Sequence, residues 1–325
     1  MTTDHHKTRL RLTEDGRQAL LESAEQTWQL TLTGEGRDRT ITNWEGTEPE
    51  TDALYPLIDV LLSRLQLDTL TLAAPVAARW SLTHPAWEHH DDGSARLQRA
   101  AFYQMRELWL SHDMQPLIPE IWTKTGEVPH PRRPTLPDGV LYRRYHPGLD
   151  QVLELRQARV DEDGERFHRW QNLPRVSRFW EYPFSRERLD QMLADRRADP
   201  NSFPLILLAD GDPVGYFETY YVPEDRLGPY CNAGPFDQGM HVLVGEERYC
   251  GKGQAPVWIN TLTHYLFLTD PRTRTLYGEP DAANQAMLKQ AENLTWRIHE
   301  AFDFPHKRAR LVSADRHPFF TNARL

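Results

Sequence analysis

After residue 201 the chain runs through its elements in an order that narrows the choice of folds sharply. FPLILLADGDPVGYFETYYV holds two apolar runs around Asp210-Gly211-Asp212, the turn chemistry of a β-hairpin. GMHVLVG follows as a third strand, and beyond a glycine turn QAPVWINTLTHYLFL reads as an apolar helix. RTLYGEP is a strand, NQAMLKQAENL a helix, and RIHEAFDF and KRARLVSA are two closing strands. Two helical stretches precede this series. ERFHRWQNLPRVSRFWEY starts helical and breaks at Pro174, and SRERLDQMLADRRA is a charged amphipathic helix.

The clearest seam lies upstream. VPHPRRPTLPDG, residues 128–139, carries Pro129, Pro131, Pro134 and Pro137, which exclude helix and central strand and predict a linker. It separates residues 1–127 from residues 140–325, and 325 residues suffice for two moderate domains. In the first region TWQLTLTG (27–34) alternates like a strand, while Leu54, Leu57, Ile58, Leu61, Leu62 and Leu65 recur at helical spacing. LDTLTLAA reads as another strand and LQRAAFYQMRELWL (97–110) as another helix, so this region is a small α+β unit. It holds no motif to which chemistry attaches. Its histidine pairs, His5/His6 and His89/His90, sit in polar surroundings and are not read as metal ligands.

Bulk composition excludes several functions. Hydrophobic residues at 39% and charged residues at 26% describe an ordinary soluble protein, without the run of about 18 apolar residues that spans a bilayer. The polar start MTTDHHKTRL has no signal-peptide character, which predicts the cytoplasm. A net charge of -9 argues against nucleic acid or a membrane surface as partner. HKRAR (306–310) is a local basic patch, read as a solvated strand end. Cys231 and Cys250 are the two cysteines, and with no CxxC or Cys/His array they read as reduced thiols rather than as a metal site.

Between the third strand and the apolar helix, Arg248-Tyr-Cys-Gly251-Lys252-Gly253 fits [Q/R]xxGx[G/A]. Glycines let the backbone curl with its N–H groups inward, the following helix adds its positive end, and Arg248 and Lys252 add full charge. Such a turn suits a pyrophosphate. With the order of elements around it, the region resembles the GCN5-related N-acetyltransferase (GNAT) fold, where this turn binds coenzyme A. RFHRWQNLPRVSRFWE, PFDQGMHVLVGE, GEPDAANQ and FDFPHKRARLVSADRHPFF resemble, in the same order, the siderophore acyltransferases that turn an N-hydroxylated amine into a hydroxamate. YRRY (142–145), YFETYYVPEDR (216–226) and THYLFLTDPRT (263–273) are most similar to the aerobactin-type members, which acetylate N6-hydroxylysine. The resemblance implies an α+β (mixed α/β) protein: a GNAT domain with a central mixed twisted sheet, preceded by a smaller α+β domain. It also implies acetyl-CoA or another acyl-CoA as co-substrate, a small hydroxylamine as acceptor, no metal, and other enzymes of siderophore synthesis as the natural macromolecular partners.

The same resemblance implies roles. Val242 and Val244 of the strand, Arg248, Gly251, Lys252, Gly253 and Gln254 of the turn, and Asn284 in the next helix would contact acyl-CoA. His241, in HVLVG, stands where the family has its general base, and a pKa of about 6.5 suits proton removal at neutral pH. A hydrogen-bonded core histidine is the alternative. Asp281, after Glu279-Pro280, would be its acidic partner, or else a helix cap ahead of AANQAML. Trp180, Tyr220 and Tyr221 could wall a slot for an aliphatic chain, and aromatic residues in such places are as often core. Glu218 or Asp225 could hold a substrate cation. Arg143, Arg144 and Arg175 are candidates for a substrate carboxylate.

The chemistry implied is direct attack of the neutral hydroxylamine nitrogen on the thioester, with His241 taking the proton and no acyl-enzyme. Backbone N–H groups freed where the two central strands splay would face the oxyanion. Cys250 lies inside the pyrophosphate turn, away from the thioester, and is discounted as a nucleophile. Rival readings are acyl transfer to hydroxyputrescine or hydroxycadaverine, a general amine acetyltransferase, and a non-catalytic acyl-CoA sensor.

Overall fold

The computed structural model describes residues 7–47, 49, 51–112, 116–323 and 325, so that His5 and His6 lie outside the described residues. The chain forms two compact units. One takes the described residues of Met1–Trp109 with Arg144–Val152, and the other those of Leu110–Arg143 with Leu153–Ala323.

In the first unit the alternation of TWQLTLT sets Trp28, Leu30 and Leu32 on the buried face of a strand. Strands Arg9–Leu12, Gln18–Glu22, Thr27–Thr33 and Asp38–Glu45 pair antiparallel in succession. Helix Thr51–Arg64, which buries Leu54, Leu57, Ile58, Leu61 and Leu62, then carries the chain over. Thr69–Leu72 therefore lies parallel to Asp38–Glu45, and Ala95–Gln98 and Trp87–His89 complete a seven-stranded sheet. The helix predicted over 97–110 does not form. Leu97 pairs with Leu70 and Trp87 in the sheet, and only the single turns Arg99–Phe102 and Arg106–Leu108 follow. Phe102, Tyr103, Met105 and Trp109 are all buried, a crowding that one helical face cannot supply.

The second unit is built on an eight-stranded sheet, except that residues 144–146 and 151–152 of its first two strands are grouped with the first unit. Its strands are β1 (Val140–His146), β2 (Gln151–Gln157), β3 (Ser202–Ala209), β4 (Asp212–Tyr221), β5 (Gln238–Val244), β6 (Thr275–Gly278), β7 (Arg297–Asp303) and β8 (Arg308–Asp315), in the order β1-β2-β3-β4-β5-β6-β8-β7. From β2 to β5 neighbours are antiparallel, β5 and β6 are parallel, and β8 is antiparallel to both its neighbours. The β3–β4 turn is made by Asp210 and Gly211, both at positive φ, as the Asp-Gly pair predicts. Among the described residues six helices accompany this sheet: α1 (Val160–Gln171), α2 (Pro174–Trp180), α3 (Arg186–Ala198), α4 (Ala255–Thr269), α5 (Gln285–Glu292) and α6 (Arg316–Asn322). Pro174 opens α2, where its missing N–H is harmless. Phe167 and Trp170 of α1 and Leu189 and Leu193 of α3 pack with Ile206, Tyr216 and Leu243 of the sheet. On α4 every residue from Trp258 to Leu268 is buried.

The proline-rich stretch is not a free linker. Val128–Pro131 pairs with Trp122–Thr125 in a two-stranded ribbon, and His130 and Arg133 are buried within the second unit. Proline is admissible there because a ribbon has an unpaired edge. The boundary falls instead at Trp109/Leu110, and the chain returns to the first unit for residues 144–152. Among the described residues no helix is long and apolar enough to cross a membrane.

One feature of the sheet positions the site. β5 and β6 pair only at Gln238↔Leu276 and Gly239↔Tyr277. Just past that point Met240, His241 and Val242 on β5, and Gly278 ending β6 with Glu279 after it, line a cavity of about 320 Å³.

Candidate active site

His241 is held at both ring nitrogens by carboxylates. Its Nε2 lies 2.6 Å from Glu279 Oε1 and its Nδ1 3.4 Å from Glu218 Oε1. Glu218 is its cross-strand partner on β4, and so shares its face of the sheet. Glu279 follows from the parallel register: Leu276 faces Gln238 and Tyr277 faces Gly239, so two residues further on position 279 falls level with 241. Both carboxylates are well buried, whereas the imidazole keeps 21% exposure toward the cavity.

Each carboxylate has further donors. Tyr220 Oη donates to Glu279 Oε2 at 2.7 Å, Arg226 Nη2 is 3.8 Å and Lys307 Nζ 4.0 Å from Oε1, and Lys307 also donates to the Glu279 carbonyl at 2.8 Å. Glu218 Oε2 accepts from Tyr216 Oη at 3.1 Å and pairs with Arg196 Nε at 3.2 Å. Burial opposes charge on His241, but the Glu279 charge and the bonds to Glu218 and Glu279 outweigh it, raising the pKa to about 10. Burial likewise opposes ionisation of Glu279, and the His241 cation, Lys307 and Tyr220 together bring it down to about 2. Glu218 is lowered in the same manner, against burial, by His241 and Arg196. The resting site is therefore an imidazolium between two carboxylates. This corrects the expectation of a neutral histidine titrating near 6.5.

The structure also corrects the partner. The carboxylate bonded to His241 is Glu279; Asp281 Oδ1 accepts instead from the Ala283 N–H at 2.7 Å, as a turn-capping aspartate does. Asn284 caps α5 through Oδ1, which accepts from the Met287 N–H at 3.2 Å, and both Asp281 and Asn284 line the cavity. Trp180 stands edge-on to His241, with ring centroids 6.0 Å apart. Tyr220 packs at 4.9 Å and spends its hydroxyl on Glu279, and Tyr221 carries Arg133 over its ring at 3.6 Å. Glu218 already faces two cationic partners, His241 at a long 3.4 Å and Arg196, and accepts from Tyr216, which removes it as the holder of a substrate cation. Asp225, raised by burial, accepts from the Leu227 N–H.

The predicted carboxylate-binding arginines are engaged elsewhere. Arg144 is paired with Asp59, Arg143 lies 3.6 Å from Glu154, and Arg175 donates to the carbonyls of Val244 and Gly245, both at 2.6 Å. The cations that line the cavity are Arg196, Arg226 and Lys307. Lys307 belongs to the patch read as a solvated strand end, and its reach to Glu279 corrects that reading.

The turn after β5 keeps its space open. Gly251 (φ 75°) and Gly253 (φ 71°) are left-handed, and a Cβ on either would meet nothing within 4 Å. α4 starts two residues later with no side-chain cap, so the N–H groups of its first turn, apart from Pro256 which has none, take no side-chain oxygen, and Gln254 Oε1 is buried without a partner. Arg248 contacts Asp212 at 3.1 Å at the surface. The residues present fit an anion on the turn. Cys250 is exposed there, and among the described residues no group of three or more His, Cys, Asp or Glu could hold a metal.

Residues 159–304 match the model of the acetyltransferase (GNAT) domain. Over 268 residues the chain is 38% identical to the N(6)-hydroxylysine O-acetyltransferase of Escherichia coli, an alignment covering 80% of this chain and 85% of that enzyme. The chain belongs to this family of GNAT acyltransferases. Its similarity extends to a hydroxyornithine transacylase of Ajellomyces capsulatus, at 29% identity over 92% of this chain and 69% of the relative. An uncharacterized protein from Bacillus halodurans shares the fold, with a TM-score of 0.53 and 23% identity over 55% of this chain and 91% of that one. The matched GNAT span holds the His241–Glu279 pair, Glu218, Trp180 and the whole glycine turn, whereas Lys307 follows it. The alternation of apolar residues could find the strands of this GNAT domain but not Glu279, which signals itself only once the parallel register is known.

Proposed function

We propose that this GNAT acyltransferase moves the acetyl group of acetyl-CoA to the hydroxylamine nitrogen of N6-hydroxylysine, forming a hydroxamate for siderophore synthesis in the cytoplasm. The observation that carries the mechanism is the His241 ring on the cavity wall where β5 and β6 part, held closely by Glu279 and loosely by Glu218, two carboxylates that favour its protonated form. A hydroxylamine is neutral at pH 7, whereas lysine, with a pKa of about 10.4, is charged and must first lose a proton. The acceptor therefore attacks without prior deprotonation. The N–C bond forms, and the proton that the nitrogen sheds passes to Glu218, whose 3.4 Å contact with Nδ1 is the easier of the two to exchange. Freed from Glu218, the imidazolium Nδ1–H faces the developing oxyanion together with N–H groups of β5 beyond its pairing with β6. When the C–S bond breaks, the thiolate takes a proton from His241, which recovers one from Glu218. Glu279, Tyr220 and Lys307 hold the ring in place throughout. The pyrophosphate rests on the turn Arg248–Gly253 and the start of α4, with Val242, Gln254 and Asn284 along the pantetheine. The test is free-thiol release from acetyl-CoA at about pH 7. Turnover with N6-hydroxylysine and little with lysine is expected, and equal rates on the two would make the protein a general amine acetyltransferase.

A further inference from the structure

At the end of the cavity reached from β3 and β4, three buried polar atoms have no partner in the protein: Glu224 Oε2, Asn201 Oδ1 and Ser202 Oγ. All three belong to residues that line the cavity, and none can be dismissed as solvated. The Glu224 side chain is 0% exposed, Asn201 is 8% exposed and Ser202 6%. Each is an acceptor, two of them strictly so. Their neighbours are fixed. Glu224 Oε1 takes Arg133 Nε at 2.8 Å and lies 2.9 Å from His130 Nδ1, while Asn201 Nδ2 donates to Thr125 Oγ1 at 3.1 Å. What is left pointing to no protein donor is one carboxylate oxygen, one amide oxygen and one hydroxyl. A buried acceptor without a donor is rare in a folded protein, and three beside one cavity describe the shape of a missing donor.

We infer that Glu224, Asn201 and Ser202 form the subsite that receives a primary ammonium at the end of the acceptor remote from its hydroxylamine. An ammonium offers three N–H donors in a compact head and no acceptor, which matches three acceptors. The register gives the spacing. Ser202 is the cross-strand partner of Tyr220, two residues along β4 from Glu218, which itself faces His241. Two residues along a strand is roughly 7 Å, and β3 lies two strand spacings of about 4.8 Å each from β5, so the Ser202 and His241 backbones are roughly 12 Å apart on one face, a gap for a lysine-like aliphatic chain together with the side chains at its two ends. Burial raises the Glu224 pKa against the opposing charge of Arg133, as fits a carboxylate awaiting a further cation. The inference rests on the acyl-transfer reading for its substrate, and it replaces Glu218 and Asp225 in the role of cation holder.

The experiment compares N6-hydroxylysine with 6-(hydroxyamino)hexanoic acid, which keeps the chain and carboxylate but lacks the ammonium. Initial rates of thiol release from acetyl-CoA and calorimetric binding of both compounds are measured for the parent, Glu224→Gln and Ser202→Ala. Ser202→Ala removes a hydroxyl that bonds nothing in the protein, so its fold is secure. The parent is expected to favour N6-hydroxylysine at least about tenfold in kcat/KM, mostly through KM. That preference should fall to within about threefold in Glu224→Gln, and by a smaller factor in Ser202→Ala, with kcat on the hexanoic acid little changed. A folded Glu224→Gln or Ser202→Ala that retains the parent's full preference overturns the subsite. If the parent releases thiol with neither compound, the acyl-transfer reading falls. The binding ratio then still decides the subsite, because an ammonium site favours N6-hydroxylysine in binding and the absence of such a preference excludes it.

Discussion

The ring of Tyr220 occupies the space where Gly239 has no side chain: a Cβ at Gly239 would lie 2.3 Å from Cε2 and 2.6 Å from the hydroxyl oxygen. The two are cross-strand partners, and this closeness presses the Tyr220 hydroxyl toward Glu279. Gly239→Ala should therefore cost about 1–3 kcal/mol as the ring is displaced, and should lower kcat as well because Glu279 loses a donor. Denaturant melts and thiol-release rates check this. An alanine variant with parental stability and rate would show that the ring position is of no consequence.

Stability should follow pH through the buried ion pair. A pKa raised from 6.5 to about 10 means that His241 contributes fully below 6.5 and loses that contribution as pH rises through 10. A pKa lowered from 4.5 to about 2 means that Glu279 contributes fully above 4.5 and loses it as pH falls through 2. The pair is thus strongest between pH 4.5 and 6.5. His241→Ala is expected to destabilise by about 3 kcal/mol in that window, shrinking toward pH 10. Melts across the range should show the convergence, and a constant difference would place the proton elsewhere.

Catalysis should carry the same signature. If the imidazolium is the active form, kcat at saturating substrate stays level across neutral pH and declines on the alkaline side near about 10. A neutral base would instead produce an acidic limb near the ordinary histidine value, absent from His241→Gln. The observation of that limb would restore the neutral-base reading.

The identity of the carboxylate partner is separable by substitution. Glu279→Gln keeps shape but not charge, and is expected to lower kcat roughly 10²- to 10³-fold while leaving acyl-CoA binding near that of the parent. Asp281→Asn, which disturbs only a turn cap, should stay within about threefold. The reverse ranking would return the role to Asp281.

At the glycine turn, Gly251→Asp should raise the KM for acyl-CoA at least about tenfold, because the carboxylate would enter open space meant for an anion and would strain a left-handed backbone. Unchanged affinity in a folded variant would remove the turn from the site.

How far the sequence could be read depended on whether the signal was local. Asp210-Gly211, the alternation in β3 to β5 and the glycine turn declare themselves within a few residues, and the structure has each in place. The stretch 97–110 misleads because dense burial of Phe102, Tyr103, Met105 and Trp109 imitates an apolar helix face. Local sequence does not separate Glu279 from Asp281, because the choice depends on strand register, a tertiary quantity. Lys307, which lies far along the chain from His241, and Glu224, on the connection between β4 and β5, are hidden for the same reason, since both reach the cavity only through the fold.

The parallel pairing of β5 with β6 has a practical consequence for anyone recombining this protein with its relatives. Only two residue pairs hold the strands in step, yet they set both which face and which level the carboxylate of Glu279 occupies. Adding or removing one residue between Leu276 and Glu279 would turn that carboxylate to the other side of the strand, with every side chain of the cavity unaltered in identity. Chimaeras should accordingly be spliced outside Gln238–Glu279, so that this interval is inherited from a single parent.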